Sequence, residues 1–394
     1  MTYSMVVLFK NTFLLWFSLS LFSISQGHAQ IQVGAEQIEA YLPLLKNKNI
    51  GVVAHASSLV KTQNQSVHLI DTLLSLSIKI NKVFAPEHGF RSKADNGEHV
   101  DNIIDPKTQL PLISLHGKNK KPQSKDLEGI DLMVFDIQDV GVRFYTYLST
   151  LHLVMEACAE NNIPLLILDR PNPNAHYVDG PVMEDEFKSF LGKHNVPIVY
   201  GLTLGEYAQM INNEGWLTNK IQCEISIVPV KNYTHKTPYS LAVRPSPNLP
   251  NDQAINLYPS LCLLEQTPVS IGRGTEMQFQ IFGHPDFKNK SFEFKPQPNF
   301  GAKYPKQENK ICYGVDLRHH PRANKIELKW LMNAYEMASN KDDFFFKRFA
   351  FISGTKALQY QIQEGFSEQE IRRSWKPKID AFLKMRANYL LYED

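Results

Sequence analysis

Short, uniformly apolar runs alternate along this chain with segments whose apolar residues recur every three or four positions. The runs at Ile50–Ala54, Ile80–Ala85, Leu110–Leu115, Leu132–Phe135 and Pro164–Leu168 predict strands buried on both faces. Between and around them, Val33–Leu45, Ser66–Ser77 and Leu148–Asn161 carry helical spacing. Val196–Tyr200 predicts a further strand ahead of a helix over Thr203–Asn213, opened by Thr203 with Glu206 three positions on, a capping box. Strand and helix in alternation predict an α/β fold with a mostly parallel, doubly wound sheet. The turn after the first strand reads His55-Ala56-Ser57-Ser58. It has no glycine-rich fingerprint, so the fold class brings no dinucleotide cofactor with it.

A polar, proline-dense stretch from Lys231 to Asp252 interrupts this pattern, because prolines at that density exclude helix and central strand. We place a domain division there, near Thr237. The larger sheet domain then spans 30–237, and a smaller mixed α/β domain spans 238–394. The latter is expected to hold helices over Ile255–Leu264, Lys325–Met337 and Lys376–Leu391 and strands near Phe279 and Val315.

The first 29 residues have a separate character. Lys10 precedes an apolar, serine-interrupted run, Phe13–Ile24, and Gly27 and Ala29 suit a secretory cleavage site. The run is about 12 residues, roughly 18 Å as a helix and short for a ~30 Å hydrocarbon core. The pattern predicts a signal peptide, a mature chain beginning near Gln30, and secretion to the periplasm without stable membrane insertion. The 42 basic and 40 acidic residues of the 394 leave a net charge of +2, so composition gives no case for nucleic acid. Cys158, Cys223, Cys262 and Cys312 show no zinc-ligand spacing, and Cys158 falls on an apolar helical face.

The richest chemistry follows Leu132–Phe135. Asp136, Gln138, Asp139, Arg143, Tyr145 and Tyr147 arrive within twelve positions, around one glycine, Gly141. Ordinary turns are richer in Gly, Asn and Ser. Other predicted strands end at His55, at Glu87-His88 and at Asp169-Arg170. In a doubly wound sheet, ligands bind outside the carboxyl ends of the strands, so these groups are expected on one edge. Two carboxylates from different strand ends can divide proton donation from charge stabilisation, as glycoside hydrolysis requires. Glu87, fixed by Pro86 and beside Phe90, is the candidate acid, with Asp136 and Asp139 as its catalytic partners. His55, His88 and His116 with these acids are also of the type that holds a metal, but no HExxH or HxH spacing supports one. No cofactor and no metal are therefore expected.

Six segments together resemble the peptidoglycan exo-β-N-acetylmuramidases, formerly a domain of unknown function. They are PEHGF at Pro86–Phe90, FDIQDVGVRFYTYLST at Phe135–Thr150, LDRPNPN at Leu168–Asn174, GPV at Gly180–Val182, RPSPNLP at Arg244–Pro250 and IGRGTE at Ile271–Glu276. The resemblance implies a Rossmann-like domain, a smaller domain completing a cleft, and release of terminal N-acetylmuramic acid from the non-reducing end of peptidoglycan fragments. By motif, it implies that Glu87 is the acid and that Asp136, Asp139, Arg143 and Tyr145 line the pocket. Arg170, Asn172, Asn248, Arg273 and Glu276 complete it, with His55 and His88 at the strand ends also expected to contact substrate. Muramic acid carries a lactyl carboxylate, which an arginine fork suits, and the sequence leaves Arg143, Arg170 and Arg273 equal candidates. The family's usual glycines are absent at Ser92 and Gln266. Two other readings stay open here: a non-catalytic binding protein for cell-wall fragments, and a metal-assisted hydrolase.

Overall fold

The computed structural model describes residues 30–62, 65–87, 89 and 103–394. Six strands run parallel, in the spatial order Pro111–Ser114, Ile80–Ala85, Ile50–Ala54, Leu132–Asp136, Leu165–Leu168 and Ile225–Val228. Ile103–Ile104 adds an antiparallel edge. Numbered along the chain, the parallel strands lie third, second, first, fourth, fifth, sixth. Winding therefore reverses between Ile50–Ala54 and Leu132–Asp136, where a doubly wound sheet opens a crevice.

Every residue of Ile50–Ala54 and Leu132–Asp136 is buried, so these strands read as apolar runs without alternation. The two-residue period survives in how their side chains divide. Val52, Ala54, Val134 and Leu166 pack with Tyr41, Leu69, Ile70 and Leu73 on one face. Val53, Met133, Phe135 and Ile167 pack with Leu151, Val154 and Met155 on the other. The helix Tyr147–Glu160 supplies those last three. Leu204–Asn213 is capped as its sequence predicts, with the Thr203 amide donating to the Glu206 carboxylate at 2.8 Å.

The smaller part holds an antiparallel sheet, Ile281–His284, Cys312–Asp316 and Glu293–Phe294, with helices Asp252–Leu261, Leu328–Met337 and Glu368–Arg386. Ile31–Asp394 form one compact unit, whose largest hydrophobic cluster includes residues from Val53 to Phe382. The proline-rich stretch is thus packed in place, with Asn248 and Leu249 buried.

Several elements depart from the sequence pattern. Ser66–His68 pairs with Leu59–Lys61 as a hairpin, so the helix expected from Ser66 starts at Leu69. Val196–Tyr200 is no ladder strand; Val199 makes only isolated bridges to Val142 and Asp179. The closing helix begins at Glu368, capped by Ser367, and carries Pro377 inside it. Ile225–Val228 is a sheet strand whose mixed exposure at the edge hid it from the pattern. All four cysteines are free and buried. The segment 1–29 lies outside the described residues, among which no helix is long and apolar enough to cross a membrane.

Candidate active site

The segment from Asp136 to Tyr147 is almost entirely buried. A buried loop must satisfy its own backbone polar groups, and most of the polar residues here do that work. Gln138 Nε2 donates to the carbonyls of Asp139 and Pro171 at 2.8 and 2.7 Å. Asn174 Nδ2 donates to the Val140 carbonyl at 2.9 Å. Asn172 donates to the Leu202 carbonyl and accepts from the Asn174 amide.

Asp136 is fully buried in a two-point ion pair with Arg170, and Arg170 Nη2 also donates to the Leu59 carbonyl. Asp139 accepts from the Gly141 amide at 2.6 Å and from the Tyr200 hydroxyl at 2.5 Å. Its Oδ1 is buried without a hydrogen-bond partner, and burial pushes its pKa up to about 6 against those two donors. Arg143 is wholly buried and faces no carboxylate. Its Nη1 donates to the carbonyls of Pro181 and Val196, and its Nη2 to those of Ile352 and Ser353, at 2.8 to 3.0 Å. Burial pulls its pKa down, while four carbonyl dipoles solvate the charge. Arg143 thus ties the sheet domain to the helix Phe349–Ser353.

A cavity of about 200 Å³ opens where the last part of this segment meets the smaller domain. Its wall includes Glu87, Phe144, Tyr145, Thr146 and Tyr147 from one side and Asn248, Tyr258, Glu265, Arg273 and Phe279 from the other. Of the residues expected at the site, the structure brings Glu87, Tyr145, Asn248 and Arg273 together here. Asp136, Asp139, Arg143, Arg170 and Asn172 do not line this cavity. Neither does His55, which is buried with its ring 5.4 Å from that of Tyr147 and its Nδ1 beside the Ser57 hydroxyl. Glu276 is exposed and off the wall. His88 lies outside the described residues.

Each wall residue is held by identifiable contacts. Glu87 follows the strand Ile80–Ala85, is half-buried, and accepts from the Thr146 hydroxyl at 2.8 Å. Tyr145 donates to the Pro245 carbonyl at 2.6 Å, and Tyr147 reaches both the Glu87 and Pro245 carbonyls. Tyr147, Tyr145, Tyr258 and Phe279 meet edge to face in succession, giving an aromatic wall suited to the apolar face of a sugar. Asn248 donates to the Gly301 carbonyl at 2.6 Å, while its Oδ1 is buried without a partner.

Glu265 is a carboxylate of the cavity wall that the sequence pattern did not single out. It follows the helix Asp252–Leu261 on a short 3₁₀ turn, and its Oε1 accepts from Arg273 Nε at 2.7 Å. Burial would raise its pKa, but the cations of Arg273 and Lys306 outweigh that and hold it below the usual carboxylate range. Lys306 Nζ braces the turn through the carbonyls of Leu264, Glu265 and Thr267. Gly272 and Gly274, with φ of 81° and 79°, adopt the left-handed conformation on either side of Arg273. A Cβ at either would lie 2.6 Å from a backbone carbonyl oxygen, so the GRG spacing is a backbone requirement for aiming that arginine. The sequence signal that could have found Glu265 is the family's EGT segment, which here reads Glu265-Gln266-Thr267. Among the described residues no group of three His, Cys, Asp or Glu side chains is arranged to hold a metal.

Comparison with known proteins covers nearly the whole described chain. The N-terminal and C-terminal models of the family "Exo-beta-N-acetylmuramidase NamZ" match residues 50–253 and 256–392. Their junction lies C-terminal to Thr237. The "Peptidoglycan beta-N-acetylmuramidase NamZ" of Bacillus subtilis (strain 168) is 33% identical, with 92% of each chain covered. A crystal structure of a DUF1343 family protein from Bacteroides fragilis is 43% identical with a TM-score of 0.85, covering 93% of this chain and 100% of its own. A second from the same organism is 27% identical with a TM-score of 0.79, covering 92% and 99%.

Proposed function

The chain belongs to the exo-β-N-acetylmuramidase NamZ family, and on that premise we propose that it removes N-acetylmuramic acid from the non-reducing end of peptidoglycan fragments. It is a glycoside hydrolase. The observation that carries the finer reading is the single cavity in which Glu87 and Glu265 are joined by Arg273, Asn248 and an aromatic wall.

In this reading Glu87 protonates the departing glycosidic oxygen. Thr146 occupies one of its carboxyl oxygens, leaving the other for that proton. Glu265, kept ionised by Arg273 and Lys306, stabilises the positive charge that grows on the sugar, and water adds to the anomeric carbon while its proton restores Glu87. Asn248 Oδ1, which lacks a protein partner among the described residues, accepts from the N–H of the acetamido group. The same reading puts the enzyme in the periplasm, with residues 1–29 removed; Edman sequencing of the secreted protein is expected to begin near Gln30.

The decisive experiment compares two leaving groups in Glu87→Gln. With a muramic-acid-capped disaccharide, kcat is expected to fall about 10²- to 10⁴-fold, read by mass spectrometry of released N-acetylmuramic acid. With 4-nitrophenyl muramide, whose phenolate needs little protonation, the loss is expected to be smaller. Near-wild-type cleavage of the disaccharide by this variant removes Glu87 from the role.

A further inference from the structure

Three arginines compete for the acidic group of the substrate, and their surroundings separate them. Arg170 has Nε and Nη2 on Asp136. Arg143 has both terminal nitrogens on four backbone carbonyls. Arg273 is different. Only its Nε is engaged, by Glu265, and the guanidinium lies 5.1 Å over the Phe279 ring in the wall of the cavity. Its two terminal nitrogens have no protein acceptor among the described residues. That edge of a guanidinium is the one that takes a carboxylate at two points.

The local charge points the same way. Glu265, Arg273 and Lys306 form a cluster of one anion and two cations, so Glu265 alone does not balance the positive charge on the Arg273 side of the cavity. A partly buried cation in excess favours an anionic ligand over a neutral one of the same shape.

We propose that Arg273 is the specificity residue of the enzyme: its terminal nitrogens bind the free lactyl carboxylate of the muramic acid unit. The Glu265 contact at Nε fixes the plane of the guanidinium. The inference rests on the exo-muramidase reading above, which supplies the identity of the sugar. It implies that N-acetylglucosamine, and muramic acid whose lactyl group is amidated, enter the same cavity without that bond and react poorly.

The test measures kcat/KM on three 4-nitrophenyl glycosides: the muramide, its lactyl amide and the N-acetylglucosaminide. Wild-type enzyme is expected to prefer the free acid over its amide by about 10- to 100-fold, the worth of a charge-assisted contact. In Arg273→Gln that ratio is expected to collapse towards one, and in Arg273→Lys to recover in part. A purely structural role would lower all three rates together and leave the ratio intact, and an intact ratio in Arg273→Gln overturns the proposal.

A second arm needs only wild-type enzyme. N-acetylmuramic acid is expected to inhibit at least tenfold more strongly than its lactyl methyl ester, and equal inhibition overturns the assignment even if the variants fail to fold. Wild-type protein that cleaves no muramide at all overturns the parent reading and this one with it. Wild-type turnover without acid preference overturns this one alone.

Discussion

Arg170 closes on Asp136 through two contacts, Nε to Oδ1 at 2.5 Å and Nη2 to Oδ2 at 2.9 Å, with both side chains buried at the carboxyl ends of adjacent strands. Burial would lower the pKa of Arg170, but the neighbouring carboxylate raises it above the usual value. An acid so engaged is a fastener for the crevice floor. Asp136→Asn keeps the shape and strands the cation, so it is expected to cost about 3–5 kcal/mol of stability, read by urea denaturation. At a temperature where the variant stays folded, its kcat is expected within about threefold of wild type. A large kcat loss with unchanged stability would return Asp136 to the chemistry.

Glu265 offers the opposite signature. Glu265→Gln removes the charge that meets the developing cation, and kcat is expected to fall about 10²-fold or more. The substitution also relieves Arg273 of its anionic partner, leaving the guanidinium more available to the substrate. The KM for a muramide is therefore expected to stay level or fall, and steady-state kinetics separate the two effects. A raised KM with unchanged kcat would contradict this assignment.

Asp139 carries a pH prediction. Its folded-state pKa, pushed up to about 6 mainly by burial, lies above the ~3.9 of an unfolded aspartate. Between those values the native state holds the proton and the unfolded chain has released it. This contribution is therefore present at low pH and is lost as pH rises from about 4 to about 6, by roughly 3 kcal/mol in all. Asp139→Asn cannot ionise. Its stability relative to wild type is expected to increase across that window and to level off above it, as measured by denaturant midpoints at several pH values. A flat difference would show that Asp139 titrates normally.

Asp139 lies off the cavity wall, and the richest sequence signal falls on that wall only in part. Asp136, Asp139, Arg143 and Asn172 arrive in motifs dense with polar groups, and such density marks an active-site wall as readily as a buried loop that must satisfy its own backbone. Arg143 is the clearest case. Nothing along the chain announces that four carbonyls from Pro181, Val196, Ile352 and Ser353 converge on it. Glu265 was missed for the complementary reason: its motif lacks the family's glycine, and its importance arises from Arg273, eight residues on.

The sequence by itself determined the parallel sheet, because strands covered on both faces must be apolar throughout. It also determined the capped helix after Thr203 and, through six motifs in order, the family. It placed Glu87 at a strand end through the strand pattern and the PEHGF motif. Only the tertiary structure decided which polar residues line the cavity, because hydrogen-bond partners come from segments more than two hundred residues apart. A side chain's role here depends on whether the fold has already used its polar atoms: both oxygens of Asp136 and both terminal nitrogens of Arg143 are taken up within the protein, and the outer edge of Arg273 is left for something else.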